Sequence, residues 1–438
     1  MASVAQPAEA AAAAPPTFAE ALRVWARIGL LSFGGPAGQI ALMHRILVDE
    51  KRWIGEKAYL SALNFCMLLP GPEAMQLATY VGWRLHGTAG GLAAGLLFVL
   101  PGAAVVLALA MLYAAYGRLP VAEALFVGVK AAVLAIVVEA LLRVARRALA
   151  GWAEWATAGA AFVAIFFLQV PFPIIVGAAA LVGFWRGGAA APHLPRAPSP
   201  PGGAATALRT AAVWLSVWVV PLALLAAAFG REHVLADIGY FFSKLAVVTF
   251  GGAYAVLAYM GQEAVAHYRW LEPGEMLDGL GLAETTPGPL ILVTEFVGYM
   301  AAYRAGGDSW PMGVMGAAVT LWATFAPCFL WIFAGAPYIE RINAEPRLRA
   351  ALAGVTAAVV GVILNLTVWF ALQVLFGRVR QWRLGPLDVM VPEPATLNLP
   401  ALALSAMAAL LLLVLHRGVL ATLAACSAAA LAWYWAGG

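Results

Sequence analysis

Residues 27–36 read RIGLLSFGGP, and residues 244–253 read KLAVVTFGGA. Each stretch carries one cation six residues before a Phe-Gly-Gly triplet, and the two triplets stand 217 residues apart. A second triplet, Pro-Gly-Pro, occurs at 70–72 and again at 287–289, with the same offset. Two motifs that recur in one frame indicate an internal repeat, and glycine and proline within apolar segments indicate breaks in helices.

The repeat extends beyond the triplets. Arg52-Trp53 recurs as Arg269-Trp270 without a gap, and 13 of the 40 positions from 33 to 72 are identical at this offset. Shared low-complexity composition would not keep these motifs in one register. The predicted segments are a disordered tail at 1–17, a first repeat at 18–186, a Pro/Gly/Ala-rich linker at 187–209 and a second repeat at 210–438.

The composition is typical of a membrane protein. Of 438 residues, 63% are hydrophobic and only 11% are charged, whereas a soluble domain has about 25% charged residues. Apolar runs such as 88–117, 121–142 and 350–376 reach the roughly 20 residues that a helix needs to cross a bilayer. We therefore predict an all-α polytopic membrane protein built from two homologous halves.

The segments around the triplets of the first half are too short to cross a bilayer. The arms 18–31, 37–49, 56–69 and 73–86 have about 14 residues each, so each is about 21 Å long at 1.5 Å per residue. They are either the arms of re-entrant hairpins or the halves of broken spanning helices. The sequence leaves both alternatives open.

Hairpins would make the two halves inverted repeats. With hairpins, the basic residues that flank the apolar segments of the first half fall on one side of the membrane, with only Arg118 opposite. The positive-inside rule makes that side cytoplasmic, and the N-terminus with it. One further span at 212–229 then carries the chain to the other side of the membrane, so the second half begins there and is inverted. Three arginines oppose this assignment because they fall outside: Arg378, Arg380 and Arg383.

The breaks themselves are candidates for a binding site. Broken helices at membrane depth free backbone N–H groups, and inverted-repeat transporters aim such helix N-termini, each with roughly half a positive charge, at anionic substrates. Four of them around a pseudo-twofold axis would suit a tetrahedral dianion; packing kinks are the alternative. The predicted binding residues at the breaks are Ser32, Phe33, Gly34, Gly35, Pro70, Gly71, Pro72, Thr249, Phe250, Gly251, Gly252, Pro287, Gly288 and Pro289.

Charged residues near the breaks add further candidates. Arg27 and Lys244 occupy equivalent repeat positions, and a cation within the membrane commonly marks a substrate path. Each could instead extend its charge to the membrane interface. Glu73 follows one Pro-Gly-Pro triplet directly and Glu284 precedes the other by three residues. Both are candidates for a proton-coupling group, although Glu73 could merely cap a helix.

Together, the paired motifs resemble those of the chromate ion transporter family, in its long two-domain form. The resemblance runs from about Phe18 to the C-terminal spans. It implies chromate efflux across a bacterial inner membrane, with sulfate as a chemically similar ligand and with halves of opposite orientation. One departure is Ala253, which stands where the first motif has Pro36 and makes the two half-sites unequal.

Other classes of function stay open at this point. A transporter of sulfate or another tetrahedral oxyanion fits the same motifs, and a channel or scaffold fits the same composition. A membrane enzyme that reduces chromate is disfavoured because Cys66, Cys328 and Cys426 are scattered and no cofactor or metal motif accompanies them. We expect no cofactor, a chromate- or sulfate-like oxyanion as the ligand, the lipid bilayer as surroundings, and we leave a homodimer open.

Overall fold

The computed structural model describes residues 16–188, 203–250, 253–385 and 387–437. The predicted disordered tail lies outside the described residues except at its last two positions. The predicted linker lies outside them at 189–202, and its described edges are helical.

The first half is a series of helices joined by short turns. In chain order they are α1 (Phe18–Leu31), α2 (Gly35–His44), α3 (Glu56–Leu68), α4 (Glu73–Tyr116), α5 (Pro120–Ala148), α6 (Trp152–Phe166) and α7 (Phe172–Gly188). A π-helical turn, Arg45–Glu50, extends α2. The backbone of α4 leaves helical geometry at His86 and Gly87, so α4 folds into two arms that pack together where Gly82 meets Gly90.

The second half follows the same plan. Its helices are α8 (Gly203–Phe229), α9 (Val234–Val248), α10 (Ala253–Gln262), α11 (Pro273–Glu284), α12 (Val293–Ala305), α13 (Trp310–Gly335), α14 (Ile339–Ala344), α15 (Pro346–Leu375), α16 (Leu399–Ala409) and α17 (Val419–Trp435). Short 3-10 or π-helical turns are Glu263–His267, Leu290–Leu292, Ala336–Tyr338, Pro394–Thr396 and Leu410–Val414. Within the described residues, α4, α5, α8, α13 and α15 are long and apolar enough to cross a membrane, which confirms the polytopic all-α prediction.

One feature was not expected from the sequence. Between α15 and α16 the chain forms β1 (Val379–Leu384) and β2 (Leu387–Pro392), an antiparallel hairpin in which Val379 pairs with Pro392. This segment is too polar to extend the membrane helix, and a Gly-Pro pair in the sequence separates its two β-prone runs. Two of the three arginines that oppose the positive-inside assignment lie on β1 and the third directly precedes it, so they belong to this short sheet and not to a helix end.

The Phe-Gly-Gly and Pro-Gly-Pro segments of the first half lie at the tips of re-entrant hairpins. Hairpin A consists of α1 and α2 with its π-helical turn; the Nζ of Lys51 at its end lies 2.8 Å from the Oε1 of Glu20 near its start. Hairpin B consists of α3 and the first arm of α4, and the rings of Phe65 and Tyr80 lie 6.4 Å apart across it. In a straight broken helix these pairs would be far apart.

The second half repeats both hairpins. Hairpin C consists of α9 and α10 with its π-helical turn, and the rings of Phe241 and Tyr268 lie 5.3 Å apart across it. Hairpin D consists of α11, the 3-10 turn Leu290–Leu292 and α12; Arg304 near its end forms an ion pair with Glu275 near its start. The structure therefore selects hairpins over broken spanning helices, which were the two alternatives left open by the sequence.

Contacts along the long arm of α4 show that the halves are inverted. The arm starts after His86, whose Nε2 lies 2.8 Å from the carbonyl of Pro16 at the open end of hairpin A. Near its other end, the Tyr113 hydroxyl donates to the Oδ2 of Asp278 in hairpin D (2.8 Å). The equivalent contact in the second half comes from Asn343 on α14, the short helix after α13. Its Nδ2 donates to the carbonyl of Ser61 in hairpin B (3.0 Å). Ser61 and Asp278 are equivalent repeat positions, so hairpins A and B open on one side of the membrane and C and D on the other.

The last helices of each half pack around a helix of the other half. α5 of the first half packs against α16 and α17, and α15 of the second half packs against α6 and α7. Both contacts depend on glycine: Gly128 lies against the backbone of Cys426, and Gly361 lies against that of Ala158. Small residues let membrane helices approach closely enough for backbone contact. The halves are therefore interlocked and not merely adjacent.

We predict that Gly361→Leu destabilises this interlock. The new side chain collides with the α6 backbone, and overpacking of this kind costs about 1–3 kcal/mol. The measurement is thermal unfolding of the purified protein in detergent, together with its abundance in the membrane. Gly159→Leu is the matched control because Gly159, on α6, faces open space. Equal stability of the two variants would contradict the proposed role of the close approach.

Candidate functional site

The tips of the four hairpins meet through a reciprocal pair of backbone hydrogen bonds. The N–H of Gly71 in hairpin B donates to the carbonyl of Thr249 in hairpin C (2.9 Å). The N–H of Gly288 in hairpin D donates to the carbonyl of Ser32 in hairpin A (2.8 Å). Gly71 and Gly288 are equivalent repeat positions, as are Ser32 and Thr249, so the two bonds are related by the pseudo-twofold axis. The described residues at or next to all four breaks therefore lie together.

Glycine is required at these tips for a backbone reason. Gly34 has a φ of +84°, Gly71 of +113° and Gly288 of +92°, values that L side chains rarely adopt. The turns reverse the chain within a few residues and bring the start of the next helical segment to the centre. Gly251 and Gly252, the corresponding residues of hairpin C, lie outside the described residues.

A pocket opens between the breaks, and each hairpin contributes to it. Its lining residues are Pro36, Gln39, Gly71, Pro72, Glu73, Ala74, Thr249, Pro289, Leu290 and Ile291. The first residues of three helical segments line it, namely those of α2, α4 and the 3-10 turn before α12. Its volume is about 10 Å³. That space holds about one water molecule, so a tetrahedral oxyanion could enter only if the hairpin tips move apart.

Two buried glutamines fix the tips around this break pocket. The Nε2 of Gln39 donates to the carbonyl of Gly288 in the other half (2.6 Å), and the Nε2 of Gln76 donates to the carbonyl of Pro70 (2.6 Å). In both side chains the Oε1 is buried and has no hydrogen-bond partner among the described residues. Each amide therefore has unused hydrogen-bonding capacity beside the breaks, where buried polar atoms are normally paired.

The long arms of α4 and α13 support the tips from behind. Gly102, next to Pro101, lies against the carbonyl of Pro287, and a side chain there would collide with it. In the other half, Cys328, next to Pro327, lies against Gly71. The two contacts occupy roughly corresponding places on the two long helices, each next to a proline.

The hydroxyl groups predicted to contact a ligand are partly engaged within their own helices. The Oγ of Ser32 donates to the carbonyl of Ile28 (2.7 Å), and the Oγ1 of Thr249 donates to that of Leu245 (2.5 Å). Both side chains are buried. Phe33 is 38% exposed and Phe250 is half-buried. At this site the serine and threonine thus contribute mainly backbone carbonyls, which accept the glycine N–H groups.

The two cations predicted from the sequence lie at the flanks and not in the pocket wall. Arg27 has a side chain that is 54% exposed, and its Nη1 lies 3.6 Å from the Oε2 of Glu50. Lys244 is exposed, and its Nζ lies 5.6 Å from the centre of the Tyr259 ring. Both positions follow from the helix period, because they place the side chains on the outer face of the first hairpin arms.

The two predicted carboxyl groups are placed differently from each other. Glu73 begins α4 and lines the break pocket. Glu284 ends α11, is buried, and accepts a hydrogen bond from the Tyr254 hydroxyl (2.8 Å). Tyr254 is on α10, so this bond joins hairpins C and D.

Sequence reasoning did not identify two features of the site. Gln39 carries no motif signal, and only its contact across the halves reveals it. Arg147 lies in the last turn of α5 and also carries no motif signal. Its Nη2 lies 3.5 Å from the Sδ of Met67 in hairpin B, and it is within electrostatic range of Glu73. Met67 is the repeat equivalent of Glu284, and this equivalence is the one signal in the sequence that points to the surroundings of Met67.

Comparison with known proteins agrees with the paired architecture. The family model described as "Chromate transporter" matches residues 19–184 and again 236–433. A chromate transport protein of Cupriavidus metallidurans is 33% identical over 351 residues, which cover 79% of this chain and 81% of that protein. One of Pseudomonas aeruginosa is 34% identical over 357 residues, 80% of each chain. A probable chromate transport protein of Synechococcus elongatus is 29% identical, over 86% of this chain and 92% of that one. No solved structure matches. The motif resemblance is confirmed: the chain belongs to the chromate transporter family.

Proposed function

We propose that this protein exports chromate from the cytoplasm and binds it at the break pocket. The observation that carries the proposal is the reciprocal pair of bonds from Gly71 to Thr249 and from Gly288 to Ser32, because it gathers four helix breaks at one point. The names of the relatives supply the substrate. Sulfate has the same shape and charge and is the closest competitor.

The pocket recognises a dianion through backbone dipoles and amides. The first N–H groups of a helix have no partner within the helix, and its N-terminus attracts negative charge. The starts of α2, α4 and the turn before α12 supply such groups. The Nε2 groups of Gln39 and Gln76 each make one hydrogen bond, so the second N–H of each can donate to an oxyanion oxygen. Arg147 adds positive charge beside hairpin B.

Export of a dianion needs no additional energy source. An inside-negative potential is worth about 2.3 kcal/mol per charge per 100 mV, so a dianion that leaves the cell gains about 4.6 kcal/mol per 100 mV. This direction assumes a location in the bacterial inner membrane with the N-terminus in the cytoplasm. The cluster Arg143, Arg146 and Arg147 at the end of α5 supports that orientation.

The flanking cations are proposed to guide the anion. Arg27 lies on hairpin A, and Lys244 lies on hairpin C, which opens to the opposite side. A charge outside the pocket changes mainly the local anion concentration. The roles of Glu73 and Glu284 as proton-coupling groups stay predictions. The repeat boundaries 18–186 and 210–438 stay a proposal.

Transport direction and substrate are tested in inverted membrane vesicles. We expect saturable uptake of chromate that remains unreduced in the lumen, stimulated by an inside-positive potential and inhibited by sulfate. Flux that rises in proportion to concentration would indicate a channel. Appearance of reduced chromium would indicate an enzyme. Uptake of sulfate without uptake of chromate would reassign the substrate.

We predict that Gly71→Ala lowers transport strongly. The new methyl group strains the positive φ, roughly 1–2 kcal/mol, and it also meets Cys328 and the Gln76 amide, so the break shifts. Gly307→Ala is the matched control, because Gly307 has a φ of +68° but faces open space in the turn after α12. Chromate uptake and membrane abundance are measured for both. Equal uptake would contradict a role for the break.

If the two cations guide the anion, the effect of replacing each one depends on the side of the membrane to which chromate is added. Arg27→Gln should raise the KM for chromate presented on the cytoplasmic side, and Lys244→Gln should raise it for chromate presented outside, with kcat little changed. Right-side-out and inverted vesicles separate the two cases. Unchanged KM values for both variants would remove Arg27 and Lys244 from the substrate path.

A further inference from the structure

The helix α2, which forms part of the wall of the break pocket, has a narrow buried face. Of its ten residues only Gln39 and Met43 are buried, whereas Ala37, Gly38 and Ala41 form an exposed row on the opposite side. Small side chains do not interlock with neighbouring helices. Because the pocket is too small for an oxyanion, a wall segment has to move, and moving α2 breaks few side-chain contacts.

The repeat equivalent of α2 is packed more firmly. Five consecutive residues of α10, 256–260, are buried, and α10 lies along α15. The ring of Tyr259 on α10 also stacks on that of Phe172 on α7, with 5.3 Å between the ring centres. The two inverted halves therefore place a firmly packed helix at hairpin C and a loosely packed helix at hairpin A.

A flexible link joins α2 to α1. Gly34 and Gly35 have φ values of +84° and +72°, and a Cβ at either position would meet nothing within 4 Å. Glycine adopts other backbone angles at little cost, and the open space permits the change. Ser32, whose carbonyl accepts the Gly288 N–H, precedes the link. The bond between hairpins A and D can therefore persist while α2 changes direction.

The other end of α2 is anchored. It continues into the π-helical turn Arg45–Glu50, in which Ile46 and Leu47 are fully buried. Lys51, directly after this turn, forms the ion pair with Glu20 at the open end of hairpin A. A movement of α2 would therefore displace the end at the hairpin tip and leave the opposite end in place.

Two hydrogen bonds hold α2 in the closed position. The Nε2 of Gln39 donates to the carbonyl of Gly288 in the other half (2.6 Å), and the hydroxyl of Tyr59 on α3 donates to the carbonyl of Ile40 (2.7 Å). The repeat equivalent of Gln39 is Val256, whose side chain cannot make such a bond. The bond from Gln39 therefore joins the loosely packed helix to the opposite half, and α10 has no counterpart to it at the equivalent position.

We propose that α2 is the cytoplasmic gate of the break pocket and that Gln39 is its latch. The proposal rests on the proposed function of the pocket. When the bond from Gln39 to Gly288 breaks, the tip end of α2 tilts away and takes Pro36 and Gln39 out of the pocket wall. Since α2 runs from the tip to the open end of hairpin A, the pocket then opens toward that end, which is the cytoplasmic side in the proposed orientation.

The test measures how readily a cysteine in the pocket reacts from each side of the membrane. Ala74→Cys supplies the thiol, because Ala74 is buried and lines the pocket. A membrane-impermeant methanethiosulfonate that carries a sulfonate group is added to inverted or right-side-out vesicles of the full chain, without any transported oxyanion. The parent protein is the blank, since its own three cysteines are buried.

In this background, Gln39→Val copies the second half and removes the latch. We expect modification of Cys at position 74 from the cytoplasmic side to be about two- to tenfold faster, the effect of one net hydrogen bond, and modification from outside to be unchanged. Ala41→Val, on the exposed face of α2, is the matched control and should leave both rates unchanged. Tyr59→Phe, which removes the other bond, is the second variant if Gln39→Val fails to fold, and it should act on the same side.

The outcomes separate the gate from the function of the pocket. Unchanged cytoplasmic modification in the latch variants would overturn the proposal, as would an equal increase from both sides or an equal increase in Ala41→Val. Faster modification from the cytoplasmic side alone would support it. If that result came with no chromate transport by the wild-type protein, the proposed function would be rejected and the gate would stand.

Discussion

The structure depends on how backbone polar groups are satisfied where membrane helices are broken. In a bilayer there is no water to bond the N–H and C=O groups that a break releases. Here each half supplies what the other lacks: the glycine of each Pro-Gly-Pro tip donates to the residue that precedes the Phe-Gly-Gly position of the opposite half. Neither half could make these bonds alone. The centre of the protein is therefore an interface between the repeats.

The backbone is pseudo-symmetric at the centre, but its side chains are not. Gln39 corresponds to Val256, Gln76 to Val293, Met67 to Glu284 and Ala78 to Glu295. At these four pairs of positions the amides are all in the first half and the acids are all in the second, while Glu73 is an acid that the first half contributes to the pocket. A symmetric site would treat the two sides of the membrane alike, whereas unequal side chains let the affinity for an anion differ between its two orientations. Direction of transport can then be built into the site as well as imposed by the membrane potential.

The break pocket is small because it is held shut by specific contacts. The Gln39 amide bonds the Gly288 carbonyl across the halves, and Gly102 lets α4 approach the tip of hairpin D. Around this centre, α5 packs against α16 and α17, and α15 packs against α6 and α7, which interlocks the halves. Such an arrangement favours movement of the short hairpins against a fixed frame, since their tips are joined by few bonds while the long helices are packed backbone to backbone.

The sequence alone determined the features that local chemistry controls. The closely spaced glycine and proline residues at 34–36, 70–72 and 287–289 favour breaks in helices, and an arm of about 14 residues cannot cross a bilayer. The repeat, the membrane class and the positions of the hairpin tips followed from these facts. Only the tertiary structure decided which groups meet. Arg27 and Lys244 were predicted to bind the ligand because of their spacing, and the helix period places both side chains on the outer face of their hairpin arms. Gln39 carries no motif, and only its hydrogen bond to Gly288, which is distant in the chain, reveals its position beside the breaks. Burial and long-range hydrogen bonding are properties of the folded assembly, so no local pattern could reveal them.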